Sequence, residues 1–267
     1  MSPTEFYARS IMIDTHAHLY DPIFKADIAQ HVINIKEAGV SEVWLPNCDL
    51  ASWGQLDALA EEFPDFALPM IGLHPTYVKE NYSDELNSLA KILASRKVLA
   101  IGEIGLDYYW DISFKQQQID AFETQCHWAM EHGLWIDVHC RKAYADLLQV
   151  LKKSEYKSLK GIIHCFSGDA REAKTLVDLG FALGIGGVIT YKNTTLFNDI
   201  KDIPLSNIVL ETDAPYLTPV PFRGQTNSPK YIPLIAQKLA DLYQVSLDEL
   251  IQITDANANQ LKLISGY

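Results

Sequence analysis

No stretch of these 267 residues approaches the ~18 consecutive apolar side chains that a membrane-spanning helix needs. The opening segment, Met1–Ser10, has no apolar run long enough for a signal peptide. Cysteine pairing signals are missing as well. Cys48, Cys126, Cys140 and Cys165 are scattered without C-x-x-C spacing, so a reduced, cytoplasmic chain is the expectation. Basic charge is scarce: 22 Lys and Arg stand against 34 Asp and Glu, a formal net charge of −12. An acidic field repels a long polyanion, and a firm grip on a duplex needs many Lys/Arg–phosphate contacts. Any nucleic-acid contact is therefore expected to be local, through bound cations and a few basic residues around one pocket. Low-complexity segments and runs of like charge long enough for a disordered tail are absent. A monomer with no membrane partner and no obligate protein partner follows as the simplest expectation.

What is present is a strict alternation. Short apolar runs rich in Val, Ile and Leu occur at Ile11–Asp14, Glu42–Leu45, Ala67–Leu73, Val98–Glu103, Leu134–His139, Gly161–Phe166, Phe181–Ile185 and Asn207–Asp213. Apolar on both faces, they read as strands buried in a parallel sheet. Helical patterns lie between them at 25–38, 52–62, 83–95, 115–132, 142–153, 170–179, 194–201 and 230–243. Gly39, Gly133 and Gly180 stand where helix C-caps belong. Ser246–Ile264 reads as an added C-terminal helix opened by a Ser246–Glu249 capping box. Such an alternation fits an open doubly wound sheet or a closed barrel. His, Glu and Asp at the ends of strands 1, 3, 4, 5, 6 and 8 favour the barrel, because closure brings all those ends to one face. The expected fold is an α/β (β/α)8 TIM barrel with an extra C-terminal helix, a single domain over residues 1–267. The proline-rich loop Pro215–Pro229 is expected to fold over its mouth.

The polar residues at those ends carry the chemistry. His16 and His18, two apart, point the same way from a strand and can bind one divalent metal, although an H-x-H also arises by chance. Glu103 ends an apolar strand and needs a cation or hydrogen-bond donors; a bridging metal or an ion pair would answer that need. His139 and His164 each close an apolar run. Either alone reads as a satisfied core histidine, but matching positions on adjacent strands favour ligands. Asp213 ends the last strand, where it can bind a metal and accept the proton of an attacking water. Six such groups are too many for one ion with an open position. Two ions sharing Glu103 use them well: His16, His18 and Asp213 on one, His139 and His164 on the other. Nitrogen and carboxylate donors suit Zn or Mn, with Mg tolerated if waters complete the shell. Paired ions about 3.5–4 Å apart suit phosphoryl chemistry, so a two-metal hydrolase of phosphate esters is the expected class. His74, Arg141 and Arg223 read as phosphate contacts or as solvated or structural residues. Asp14 and Asp137, two residues before His16 and His139, read as partners of those imidazoles or as buried carboxylates hydrogen-bonded within the barrel. Cys140 and Cys165 follow proposed ligands and are expected to point away from the site, while Cys48 and Cys126 carry no signal.

The set resembles the TatD family of metal-dependent deoxyribonucleases. The matching segments are Asp14-Thr-His-Ala-His18, Gly72-Leu-His-Pro75, Gly102-Glu-Ile-Gly-Leu-Asp-Tyr108, His139-Cys-Arg-Lys-Ala143, His164-Cys-Phe-Ser-Gly168, Glu211-Thr-Asp-Ala-Pro-Tyr-Leu217 and Arg223-Gly-Gln-Thr-Asn-Ser-Pro229, in the family order across residues 11 to about 260. The resemblance implies an amidohydrolase-type barrel with one or two divalent metals. It also implies activity on DNA, often on single strands from the 3′ end. It makes His16, His18, Glu103, His139, His164 and Asp213 metal ligands, with Asp213 also the proton acceptor. Departures fall outside that set: Thr76 follows Pro75, Lys142 stands where an acidic residue is common, Asp137 interrupts an apolar strand, and the last helix ends Gln260-Leu-Lys-Leu-Ile264. They bear on substrate preference.

Two other readings compete. One is carbonyl chemistry on the same scaffold, as a metal-dependent amidohydrolase or a deacylase of a substrate such as D-aminoacyl-tRNA. The absence of lysine between Lys97 and Lys115 argues against the subclass whose metals share a carboxylated lysine. The other is an inert barrel used for binding, against which all six ligand candidates are intact.

Overall fold

The computed structural model describes residues 11–267; the Met1–Ser10 segment considered above lies outside them. Eight strands run through it: β1 (Met12–Asp14), β2 (Val40–Leu45), β3 (Ala67–Pro69), β4 (Ala100–Asp107), β5 (Trp135–Arg141), β6 (Gly161–Ile163), β7 (Phe181–Ile185) and β8 (Ile208–Leu210). All pair in parallel, as β1-β2-β3 and as β4-β5-β6-β7-β8. The two sheets meet at both seams. At one, Ile71 N–H donates to Ala100 O (3.1 Å) and Gly102 N–H to Ile71 O (2.9 Å). At the other, Thr15 N–H donates to Leu210 O (3.0 Å), Asp213 N–H to His16 O (2.9 Å) and His18 N–H to Ala214 O (2.7 Å).

The interior follows the same ring. Ile13, Trp44, Leu68, Ala100, Trp135, Ile162, Ala182 and Val209, one from each strand, pack into one apolar cluster. Trp44 and Trp135 fill its centre, their rings 5.3 Å apart. Filling by side chains from alternate directions is how a barrel of this kind avoids a void. The fold is thus an α/β, TIM-barrel-like one.

Helices cover the outside: α1 (Ile28–Glu37), α2 (Leu50–Glu62), α3 (Tyr82–Leu93), α4 (Lys115–His132), α5 (Tyr144–Leu151), α6 (Ala170–Asp178), α7 (Leu196–Ile200), α8 (Ile232–Tyr243) and α9 (Leu247–Ile264). Their starts follow capping chemistry. Asp49 and Asp169 make reciprocal capping boxes for α2 and α6, and Ser246 Oγ accepts from Glu249 N–H (3.1 Å) to open α9. Gly39, Gly133 and Gly180 all have positive φ, as expected for residues that turn the chain out of a helix. Helix α9 closes the bottom of the barrel. Its Ala258 and Leu261 join the inner cluster, Asp255 accepts from Ile13 N–H (3.2 Å), and Asn257 Nδ2 donates to Leu205 O and Ile208 O (both 2.7 Å).

Several boundaries differ from the sequence-based expectation. The 25–38 helix is a short 3-10 turn, Pro22–Asp27, followed by α1. The third, sixth and eighth strands end earlier than expected, while β4 runs on to Asp107. Glu103 therefore sits in the middle of a fully buried strand rather than at its end, and Asp107 takes the terminal place.

Candidate active site

The apolar floor gives way, toward the C-terminal strand ends, to a layer of buried polar groups: Asp14, His16, Glu103, Asp137, His164 and Glu211. Above it opens a cavity of about 890 Å³, walled by His18, His74, Asp107, His139 and Asp213 among others. The loop after β8 borders it through Tyr216 and Leu217, held by Asn227 Nδ2 donating to Thr212 O (2.8 Å) and Tyr216 O (2.5 Å).

Glu103 lies at the centre, and its two oxygens face different neighbours. Oε2 is 3.5 Å from His16 Nε2 and 3.6 Å from His18 Nε2. Asp213 Oδ1 completes that group at 3.7 and 3.5 Å from the same nitrogens. Oε1 is 3.0 Å from His139 Nδ1, 2.8 Å from His164 Nε2 and 3.2 Å from His74 Nε2. The strand geometry permits this closeness. Gly105, at φ +141°, lies where a Cβ would stand 2.0 Å from His139 O, so β4 and β5 approach as no other residue would allow.

The far nitrogens fix the tautomers. His16 Nδ1–H donates to Asp137 Oδ2 (2.7 Å), leaving Nε2 a buried lone pair without a hydrogen-bond partner. Tyr20 O–H donates to Pro46 O (2.7 Å), so its oxygen accepts from His18 Nδ1–H (3.0 Å) and frees Nε2. His139 Nε2–H donates to Asp107 Oδ2 (2.9 Å), presenting Nδ1 inward. His74 is the exception. Its Nδ1 accepts from Thr76 N–H (3.2 Å), so Nε2 carries the proton and points it at Glu103. Thus His16, His18 and His139 offer lone pairs, whereas His74 offers a hydrogen-bond donor.

These donors suit divalent cations. Atoms bound about 2.1 Å from one tetrahedral ion lie about 3.4 Å from each other, close to the separations around Glu103 Oε2 and Asp213 Oδ1. Groups of His, Asp and Glu close enough to hold an ion include His16–His18–Asp213, His16–Glu103–His164 and His74–Glu103–His139. Electrostatics point the same way. Burial opposes the charge on Glu103, but the imidazoles of His74, His164 and His16 outweigh it and hold the carboxyl well below its usual range. Burial likewise opposes charge on His16, yet Asp137 and Glu103 raise it well above an ordinary imidazole. His139, against the same burial, is raised to about 9 by Asp107 and Glu103. Asp213 is lowered despite burial, through His18, His164 and His16. With no cation bound, protons are drawn to the positions where positive charge is wanted.

The remaining residues fall less simply. Asp137 supports His16, from four strands away, and not its chain neighbour His139; a strand's i, i+2 relation is local, whereas barrel closure brings β1 and β5 face to face. The partner of His139 is Asp107, whose role nothing in the Gly105-Leu-Asp107 segment signals by itself. Asp14 accepts from Thr212 Oγ1 (2.5 Å) and from the N–H groups of Thr212 (2.9 Å) and His16 (3.2 Å), bracing backbone rather than an imidazole ring. Glu211 is a second omission. Fully buried, it accepts from Cys165 N–H (2.6 Å), and burial pushes its carboxyl well up. Cys140 packs in the main apolar core, as strand alternation predicts, whereas Cys165, at φ +43°, breaks that alternation and borders the cavity. Cys48 likewise lines the cavity, its Sγ 3.4 Å from Tyr20 Oη. Arg141 reaches the wall and stacks on Tyr109 (3.6 Å), whereas Arg223 lies over Tyr191 (4.0 Å) and is not among the residues that line the cavity.

The family model described as TatD related DNase matches residues 13–262. The chain belongs to the TatD DNase family. It is 35% identical over 252 residues to the uncharacterized metal-dependent hydrolase YabD of Bacillus subtilis, covering 94% of this chain and 98% of that protein. It is 31% identical over 256 residues to the 3′-5′ ssDNA/RNA exonuclease TatD of Pantoea ananatis, again covering 94% and 98%. The crystal structure of YjjV, a TatD homologue from Escherichia coli K12, superposes with a TM-score of 0.88 at 31% identity, over 94% of this chain and 97% of that one. As a member of the TatD family the chain is a metal-dependent hydrolase. Among the described residues no helix is long and apolar enough to cross a membrane.

Proposed function

We propose that this chain hydrolyses phosphodiester bonds at single-stranded or frayed DNA ends, from the 3′ end, with two divalent cations held either side of Glu103. The observation that carries this reading is the division of Glu103: Oε2 faces His16 and His18, which Asp213 Oδ1 also approaches, while Oε1 faces His139 and His164. On this reading those residues are the ligands, Glu103 is shared, and Mg, Mn or Zn fit the donors. Bound cations would supply a polarised phosphoryl oxygen and an acidified water. Asp213 is the acceptor for the proton of that water. It borders the cavity, and its lowered pKa keeps it ionised at neutral pH. His74, its tautomer set by Thr76, turns its Nε2–H toward Glu103 Oε1 at the cavity wall, a donor that a developing anionic oxygen would share. Arg141 brings positive charge to the mouth. The choice of a nucleic-acid substrate and of 3′ polarity draws on relatives named 3′-5′ ssDNA/RNA exonucleases.

The test is hydrolysis of an end-labelled single-stranded DNA by metal-stripped protein, with Mg, Mn or Zn restored and Glu103→Ala alongside. Metal-dependent laddering from the 3′ end, absent in the variant, is the expected result. No cleavage with any metal, despite bound metal, would overturn the nuclease reading and move the substrate to a carbonyl ester such as that of a D-aminoacyl-tRNA.

A further inference from the structure

The large aromatic side chains that stand exposed among the described residues are Trp110 (70%), Tyr216 (55%), Tyr77 (46%) and Tyr109 (45%). All four gather at one place. Trp110, Tyr77 and Tyr216 line the cavity above Glu103, and Tyr109 packs edge-on against Trp110 with ring centres 4.8 Å apart. Exposed aromatics scattered singly need no explanation, but a set confined to the rim of one polar cavity does.

Their positions in the ring are also ordered. Tyr109 and Trp110 follow β4, and Tyr216 follows β8. With strands in sequence order and both seams joined, β4 and β8 stand opposite each other. The Trp110 side is built, not loose. Asp107 Oδ1 accepts from the N–H groups of Tyr109 (2.8 Å) and Trp110 (3.4 Å), while its Oδ2 holds His139. One carboxylate therefore ties this aromatic pair to the ligand cluster. Arg141 lies 3.6 Å over the Tyr109 ring and 5.5 Å from Trp110, and Lys142 Nζ lies 4.9 Å over Tyr109.

The charge on the walls argues against a grip made through phosphates. Among the described residues Arg141 is the one Lys or Arg that lines the cavity, whereas Asp21, Asp49, Glu103, Asp107 and Asp213 are all there. Apart from cations bound at the floor, a polyanion entering this mouth meets little positive charge. Base faces stacked on aromatic rings bind without regard to charge or sequence.

We propose that Trp110 with Tyr109 on one side of the mouth, and Tyr216 on the other, are stacking platforms that hold the bases of a single-stranded nucleic-acid end. The proposal rests on the nuclease reading and extends it: selection for unpaired ends comes from base stacking, since bases paired within a duplex keep their faces covered.

The test measures equilibrium affinity, by fluorescence anisotropy with the metal-loaded protein, for a short phosphorothioate-linked oligothymidylate and for an abasic oligomer of the same length. The parent is expected to prefer the base-bearing oligomer. Trp110→Ala should reduce that preference by about 5- to 150-fold, the range for loss of one stacked base, and Trp110→Phe should keep most of it. The logarithm of affinity against that of salt should be shallow, near −0.7 for each phosphate neutralised, and shallower by about that amount in Arg141→Ala. Equal affinity for the two oligomers, or a preference that Trp110→Ala leaves intact while the parent still degrades DNA, would overturn the platforms and spare the nuclease reading. A dimer that Trp110→Ala dissociates would reassign the aromatics to self-association. A parent that neither binds nor cuts oligonucleotides with any metal would remove both ideas together.

Discussion

Three of the imidazoles facing Glu103 have one nitrogen occupied by a partner and the other turned inward. That arrangement is costly to assemble without a cation, because an inward nitrogen such as His16 Nε2 then lies buried without a hydrogen-bond partner or takes up a proton in its place. The partners Asp137, Tyr20 and Asp107 are accordingly positioning residues. Asp107→Ala is expected to lower divalent-metal affinity about 10- to 100-fold, read by titration of the metal-stripped protein, because His139 loses the acceptor that sets its tautomer. Unchanged affinity would show that His139 is no ligand. Asp213 tests the chemistry instead of the binding. At saturating metal, Asp213→Ala should retain the parent's circular dichroism and lose about 10²- to 10⁴-fold in kcat, the usual contribution of a proton acceptor. Near-parental turnover would place the base elsewhere.

At the scale of elements, the added helix α9 carries a buried titration. Asp255 accepts from Ile13 N–H at the bottom of the barrel, and burial, with Glu42 nearby, raises its carboxyl to about 7. A carboxyl raised on folding contributes stability that is present below about pH 4 and is lost as pH rises through about 7. Asp255→Asn keeps an acceptor and removes the charge. The melting temperature of the variant should match the parent near pH 4 and exceed it by a few degrees above pH 7, on the order of 1 kcal/mol at roughly 2–4 °C each. A constant difference across that range would mean the carboxyl does not titrate there. The elements themselves were largely readable, since helices with strong end signals, such as α4 and its Gly133 stop, fall where the periodicity puts them. Strand ends were less readable. A strand's last residues are set by pairing across the ring, so β4 continues past Glu103 because β5 supplies partners up to Arg141. The ligand candidates were legible because a polar residue ending an apolar run is locally conspicuous. Their supports were not: His16 and Asp137 are 121 residues apart in the chain, and nothing within either segment announces the other.

For the whole molecule, closure of the ring and filling of the site are linked. The ligand candidates come from segments following or within β1, β4, β5, β6 and β8, so cations bound among them would tie distant parts of the chain together. Metal that binds only the folded state stabilises it by about 2.7 kcal/mol at a hundredfold excess over Kd, so a chelator should lower the melting temperature and restored metal should recover it. An unchanged melting temperature would mean that the metal is bound weakly or not at all. The central claim, that Glu103 is shared between two cations, is tested most directly by metal content per chain. Elemental analysis after loading and desalting should find two equivalents in the parent and one or none in Glu103→Ala. A single equivalent in the parent, or two that survive the substitution, would contradict it.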